Sequence, residues 1–433
     1  MGKTKIYEKD LSYTLLKPIV DWCTRGSYTD IEVTGKGDIP EDAAIIIAPN
    51  HCNTLMDALV VLQSFKDESV FGARADMFKR PLIAKAMFFL RILPMVRQRD
   101  GLRNVLKNYE SLDIITETLE HGVRFCMYPE GRHRPAHSLL PLGKGVMRAA
   151  IAANNRLEGK KPVYIVPTGL EYGDYFRYRS TCLINYGKPI NVTELIKELN
   201  VENEAQIMEP IRKLLQERMS ELITYIPYDE DYDKVWALTK ILAREDARNG
   251  SLSDRMAHNK HVIEQIRKAR EIKPEEMEAL LDEALRFEKE RKKKGLSIWS
   301  FGKRNNIKRA IGKGMIALLG LPYFAFAAIA SLPMWLTFEL LRGKLKDKAF
   351  HNTAGLGIKL GMGLIYFPII TALAFCLMPW LVASLLVLLA IPSYGFFYDY
   401  KEFIRTYISD IKLLNEKKMS VSFNKIISDF TKL

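Results

Sequence analysis

Two stretches of this sequence put a proton acceptor, a carboxylate and several arginines where a sheet would expose them. The first is Pro49-Asn50-His51-Cys52-Asn53-Thr54-Leu55-Met56-Asp57. An apolar run over 44–48 leads into it, and a helical pattern over 54–65 leads out. A histidine at a strand-to-helix turn stands at the end of a sheet, where open α/β domains hold their sites. An aspartate about one helical turn later can accept from one imidazole nitrogen, which fixes the tautomer and stabilises the imidazolium. The other nitrogen is then free to take a proton from a substrate hydroxyl. That hydroxyl is itself the nucleophile, so no serine or cysteine is required. Taken alone, His51 and Asp57 are a common pairing and a weak signal. Cys52 reads as packing beside the histidine, since no second base accompanies it.

The second stretch is Phe125-Cys126-Met127-Tyr128-Pro129-Glu130-Gly131-Arg132-His133-Arg134. A strand ends at Pro-Glu-Gly-Arg, where glycine allows close backbone approach, glutamate can bind a hydroxyl and arginine can bind phosphate. His133 and His137 lie four apart near Glu130, a hint of a metal site that Pro135 argues against, because it breaks the helix such a pair needs. Pro141-Leu142-Gly143-Lys144-Gly145 opens a helix whose N–H groups could hold an anion. It lacks the spacing of a nucleotide-binding loop. Arginines recur in Arg74-Ala75-Asp76-Met77-Phe78-Lys79-Arg80-Pro81 and in Pro94-Met95-Val96-Arg97-Gln98-Arg99. Such clusters suit bidentate binding of phosphate oxygens, and equally suit a solvated rim. Val163-Tyr164-Ile165-Val166-Pro167-Thr168-Gly169-Leu170 reads first as buried core.

The elements that must position these residues follow from apolar periodicity. Short apolar runs at 31–33, 44–48, 70–73, 123–128, 163–167 and 182–186 predict strands. Helical patterns over 54–65, 80–91, 102–120 and 143–154 separate them. This alternation predicts an α/β domain with a mixed, largely buried sheet. Residues 1–27 hold an amphipathic segment whose Leu11, Leu15, Leu16, Ile19 and Val20 suit either core packing or a membrane surface. The domain runs over 28–225. A charged helical extension (226–313), read as mostly solvated, a membrane region (314–398) and a basic tail (399–433) follow.

The chain has 433 residues with 64 Lys and Arg against 51 Asp and Glu, a net charge of +13. Such a chain seeks polyanions. The basic residues concentrate beside apolar runs without interleaved aromatics, which favours anionic headgroups and disfavours nucleic acid. Five scattered cysteines with no CxxC pair predict no disulfide framework and a globular part facing a reducing compartment. No cleavable secretory signal is expected at the N-terminus. Residues 314–338 carry no charge over 25 positions, and 360–398 none over 39. About 20 apolar residues cross a bilayer as a helix. The second run therefore suits two spans turning near Met378-Pro379-Trp380. The positive-inside rule puts the approach, the Arg342–Lys359 loop and the tail all on the cytoplasmic side. A single pass through 314–338 contradicts that placement, and Pro322 and Pro333 allow a re-entrant segment instead. Two or three spans are expected.

Taken in order, the four blocks resemble the PlsC-like glycerolipid acyltransferase family over residues 28–190. They read NHxxxxxD, then RxDMF…PxxR, YPEGR and IVPTGL. The resemblance implies an acyltransferase domain that moves a fatty acyl chain from acyl-CoA or acyl-carrier protein to glycerol 3-phosphate or its 1-acyl form. His51 matches the family's general base and Asp57 its orienting carboxylate. Arg74, Asp76, Phe78 and Arg97 match the second block. Glu130, Gly131 and Arg132 match the block implicated in acceptor binding, and Pro167 the proline linked to the acyl donor. The resemblance implies no metal or organic cofactor; the apolar runs with their basic flanks put the domain at a membrane, facing the cytoplasm. Two departures stand out. Five residues separate His51 from Asp57 where the family has four, and Arg132-His133 stands where Thr-Arg is common, leaving Arg132 or Arg134 as the phosphate arginine. A different lipid acceptor, such as a lysophospholipid or an amino-acid-derived lipid, and a non-catalytic scaffold on the same fold are the alternatives.

Overall fold

The computed structural model of the chain describes residues 5–8, 10–95, 105–201, 203–243, 250–302 and 306–433, those of 105–110 as main chain only. They form two compact units, Met1–Ile223 with Asp347–Thr353, and Thr224–Lys346 with Ala354–Leu433.

The first unit is built on a mixed sheet of eight strands. In chain order these are β1 (Tyr28–Thr34), β2 (Ala44–Pro49), β3 (Ser69–Arg74), β4 (Ile92–Met95), β5 (Arg124–Cys126), β6 (Val163–Tyr172), β7 (Ser180–Tyr186) and β8 (Ile190–Asn191). Their spatial order is β1-β7-β6-β2-β5-β3-β4, with β8 on β6. All pairings are parallel except β6 with β7 and β6 with β8. The sequence of β2, AIIIAP, is buried at every position, the unbroken apolar run that a parallel strand covered on both faces requires. The six expected strands are present. β4 and β8 escape the periodicity because one is four residues long with a proline and the other only two.

Helices α1 (Leu11–Arg25), α2 (Leu55–Ser64), α3 (Pro81–Phe89), α4 (Val105–Glu120), α5 (Gly145–Leu157), α6 (Val192–Leu199) and α7 (Glu204–Glu221) belong to the same unit. Its core joins Ile46, Phe125, Met147, Ile165, Ile211 and Leu215. Gly169 is the tightest point beside it: a Cβ there would stand 2.2 Å from the Leu222 carbonyl oxygen. On α1 the buried residues are Tyr13, Lys17, Cys23 and Thr24, whereas Leu11, Leu15, Ile19 and Trp22 are exposed. The expected apolar face of this segment therefore points away from the core. α3 also exposes Leu82, Ile83, Phe88 and Phe89.

The second unit contains α8 (Tyr232–Leu242), α9 (Leu252–Ile272), α10 (Pro274–Lys293), α11 (Ile307–Ala330), α12 (Leu332–Arg342), most of α13 (Phe350–Leu377), α14 (Trp380–Ala390), α15 (Ser393–Asn415) and α16 (Lys417–Phe430). The charged extension and the tail share one core, which includes Leu238, Met277, Leu281, Phe287, Phe301 and Phe423. The extension is thus solvated on its charged faces and packed along its apolar stripe. Helices α11 and α13 are long and apolar enough to cross a membrane, and the α14–α15 pair, bent by 52°, passes the same measure together. The run 314–338 is not one helix. It breaks at Ser331, because Pro333 at the start of α12 has no N–H with which to continue α11. The second run breaks between Leu377 and Trp380, at the expected Pro379.

Candidate active site

Strands β2 and β5 are parallel neighbours, so the loops leaving their C-terminal ends emerge at the same edge of the sheet. One loop carries His51 and the other Glu130. Asp57 lies in the first turn of α2 and is fully buried. The His51 Nδ1 is 2.7 Å from Asp57 Oδ2. The same oxygen accepts the backbone N–H groups of Cys52 at 2.8 Å and Asn53 at 2.7 Å. The other oxygen, Oδ1, accepts the Tyr172 hydroxyl at 2.7 Å. Four close donors thus surround the carboxylate, about as many as an ionised carboxylate accepts. The tautomer that satisfies Asp57 carries its proton on Nδ1 and leaves Nε2 as the accepting nitrogen.

The additional residue between His51 and Asp57 is absorbed in the loop. Thr54, the residue before α2, has φ 48° and ψ −126°. That is a rare conformation for a β-branched residue, and surrounding contacts must hold it.

The second loop fixes the histidine main chain from both sides. Glu130 Oε1 accepts the His51 N–H at 2.9 Å and Oε2 accepts the Leu140 N–H at 2.8 Å. Burial pushes the Glu130 carboxyl up to about 7, against these two N–H groups, which pull it down. The Arg134 N–H donates to the His51 carbonyl at 2.9 Å. The Tyr128 ring stacks on the imidazole with centroids 4.2 Å apart. Cys52 is buried, and burial with the nearby Asp57 charge pushes its thiol well above the ordinary range. A thiol so held is not a nucleophile.

The sequence-derived candidates fall in three places. His51, Asp57 and Glu130 are in direct contact, and Gly131 and Arg132 continue the Glu130 loop. Gly131 has φ 64° in open space, so backbone conformation rather than crowding selects the glycine. Arg132 is exposed. Arg74, at the C-terminal end of β3, is exposed and hydrogen-bonds Asp76 through Nε at 3.0 Å and Nη2 at 2.5 Å. Phe78 follows it, half-buried, edge-on to Phe88 with centroids 5.9 Å apart. Pro167 lies in β6 opposite Ala48, one residue before the ladder to β7 begins. Its carbonyl accepts the Gly187 N–H at 2.9 Å. Arg97 lies outside the described residues. His137 faces Glu171, with Nδ1 to Oε1 at 3.5 Å, whereas His133 faces a different carboxylate, Asp347.

Three site groups had no role in the sequence reading. Tyr172 completes the Asp57 shell, Tyr128 supports the imidazole, and Asn50 ties the loop to β6. The Asn50 Oδ1 accepts the Leu170 N–H at 2.6 Å, and its Nδ2 donates to the Leu170 carbonyl at 3.1 Å. The only signal for Tyr172 is its place five residues beyond Pro167 on a buried strand.

Comparison with known proteins agrees with this geometry. Residues 30–171 match the family described as Acyltransferase. Glycerol-3-phosphate O-acyltransferase 2 of Saccharomyces cerevisiae is 30% identical over 133 residues, 31% of this chain. The match spans only 17% of that relative's length. The crystal structure of the 1-acyl-sn-glycerophosphate (LPA) acyltransferase PlsC from Thermotoga maritima is 19% identical, with a TM-score of 0.34, over 48% of this chain and 83% of that one. With the His51–Asp57 block, the Glu130 loop and the Pro167 strand all inside the matched span, residues 30–171 form a domain that matches the Acyltransferase family.

Proposed function

We propose that the protein transfers a fatty acyl chain from acyl-CoA or acyl-carrier protein to a hydroxyl of glycerol 3-phosphate or 1-acylglycerol 3-phosphate, with His51 as general base. The observation that carries this reading is the fully buried Asp57, 2.7 Å from the His51 Nδ1, beside an imidazole that remains partly exposed. In the forward step the acceptor O–H proton passes to His51 Nε2. The oxygen bonds to the thioester carbonyl carbon, giving a tetrahedral oxyanion. Collapse breaks the C–S bond, and the departing thiolate takes the proton back from the imidazolium. Asp57 stabilises the imidazolium between these events. General base catalysis of this kind contributes on the order of 10²–10⁴-fold.

The glycerol-phosphate acceptor is supported by the name of the Saccharomyces cerevisiae relative. Arg97 and Arg132 are the cations offered for its phosphate, and Arg74 is a further substrate-binding residue. Gly131 gives the backbone access beside Arg132, Phe78 is a further substrate-binding residue, and Pro167 belongs to the acyl-donor side. A bilayer location is supported by α11 and α13 and by the exposed apolar residues of α1. On this reading the domain faces the cytoplasm, where the thioester donors are.

The test is acyl transfer from labelled palmitoyl-CoA by the purified, detergent-solubilised chain, with glycerol 3-phosphate and 1-acylglycerol 3-phosphate offered in parallel. Turnover of one of them identifies the acceptor. Equal turnover of an unphosphorylated monoacylglycerol contradicts a phosphate-selective site and points to another lipid acceptor.

A further inference from the structure

The segment Asp347–Thr353 lies far outside the acyltransferase-family span, between α12 and the body of α13, yet it belongs to the first unit. It touches both loops of the site and the segment that follows β6. Thr54 Oγ1, on the strained residue between His51 and Asp57, donates to the Ala349 carbonyl at 3.2 Å and bonds Thr353 Oγ1 at 3.0 Å. Asn352 is buried, and its Nδ2 donates to the Tyr175 carbonyl at 2.9 Å, beyond the end of β6. On the Glu130 loop, His133 Nε2 is 3.1 Å from Asp347 Oδ2, and the Phe350 ring stands perpendicular to the imidazole. A backbone conformation as costly as that of Thr54 persists only when its surroundings over-determine it. The segment supplies that constraint.

The His133 ring stands perpendicular to His51, with centroids 5.7 Å apart, and its side chain is 27% exposed. Two imidazoles, each with a carboxylate on one nitrogen, therefore stand side by side, and both are partly exposed. Their surroundings differ. The carboxylate of His51 is fully buried, whereas that of His133 is half exposed. Among the described residues no group hydrogen-bonds His133 Nδ1. Asp347 accepting from Nε2–H fixes the ring and leaves Nδ1 as the nitrogen that can share a proton with a bound phosphate. A glycerol phosphate joins its free hydroxyl to its phosphate through a short flexible chain. A base and an anion donor one ring apart suit its two ends.

Resting on the acyltransferase reading above, we infer that His133 binds the acceptor's phosphate beside His51, and that Asp347, supplied by the linker between the C-terminal apolar helices, is the positioning residue that holds it there. Site completion then depends on a residue 214 positions away in the chain.

The test uses the full chain in detergent and two readouts. Equilibrium binding of glycerol 3-phosphate and of 1-acylglycerol 3-phosphate is measured by titration calorimetry. Acyl-transfer kcat and KM are measured for whichever acceptor turns over. Asp347→Asn and His133→Ala should each weaken binding of the phosphorylated acceptor, and raise its KM, by about tenfold, with kcat nearly unchanged. The double variant should be no worse than His133→Ala, because Asp347 acts through His133. His133→Arg should restore affinity. Additive losses, a loss confined to kcat, or wild-type binding that ignores both substitutions would overturn the inference. Binding that depends on Asp347 without any acyl transfer would sustain this inference while removing the proposed function. Absence of binding of either acceptor to the wild type would overturn the inference itself.

Discussion

Replacing Asp57 by Asn separates the charge of the buried carboxylate from its shape. In the wild type Oδ2 receives three N–H groups and Oδ1 receives the Tyr172 hydroxyl. An asparagine can turn its carbonyl oxygen toward the three N–H donors and its amide toward Tyr172, whose hydroxyl rotates to accept. Every partner is then still bonded, so the stability loss should stay near ~1–2 kcal/mol. The catalytic loss is larger, because the imidazolium formed during proton abstraction loses its counter-charge. Two unit charges about 3 Å apart at an effective dielectric of ~20 attract by about 5–6 kcal/mol. With roughly half the charge developed in the transition state, about 3 kcal/mol disappears, on the order of 10²-fold in kcat. Asp57 is buried and touches no substrate, so KM for either substrate should barely move. The assay is steady-state acyl transfer by wild-type and Asp57→Asn protein, with thermal unfolding in the same detergent as the fold control. A folded variant with kcat within about threefold of wild type would refute the reasoning.

Three further outcomes follow from the same geometry. Tyr172→Phe removes one donor from a charged acceptor and should cost ~1.5–3 kcal/mol of stability, with kcat within about tenfold; a kcat loss matching Asp57→Asn without a drop in thermal midpoint would place Tyr172 in the chemistry instead. Glu130 carries a pH signature: its carboxyl sits at about 7 when folded against 4.5 ordinarily, so the folded protein binds more protons in that window. Stability from this group is therefore greatest below the unfolded value and falls as pH rises through 7, by on the order of 3 kcal/mol. The thermal midpoint of Glu130→Gln should consequently gain on wild type between pH 5 and pH 8, and a pH-independent gap would contradict the assignment. Gly169→Ala drives a Cβ to 2.2 Å from a backbone oxygen, so folded yield should collapse; normal expression and unfolding would show that β6 can shift there.

The sheet and the His51–Asp57 contact were legible because their signals are local. The run AIIIA can only be a buried strand, and His51 and Asp57 lie close enough in sequence for a loop and one helical turn to join them. The proline at 379 marked its break for the same reason. Other features depend on distant contacts. Tyr172 reaches Asp57 across 115 positions, and Asp347 reaches His133 across 214. In the sequence Asp347 is simply one acid in a basic loop. The strained Thr54 leaves no trace, since a threonine before a helix usually signals an ordinary cap. The extension over 226–313 reads as solvated because its charges outnumber its apolar stripe, and the tail residue Phe423 that covers that stripe lies more than a hundred residues further on.

The most direct test of the account is acyl transfer by wild-type and His51→Ala protein, purified side by side and shown by thermal unfolding to be equally folded. The imidazole is partly exposed and its backbone is held by Glu130 and Arg134, so its removal should leave the fold intact. The account predicts robust transfer to a glycerol-phosphate acceptor by the wild type and a loss of at least about 10²-fold in kcat in the variant. Equal turnover by the two folded proteins would contradict the assignment of His51 as the base.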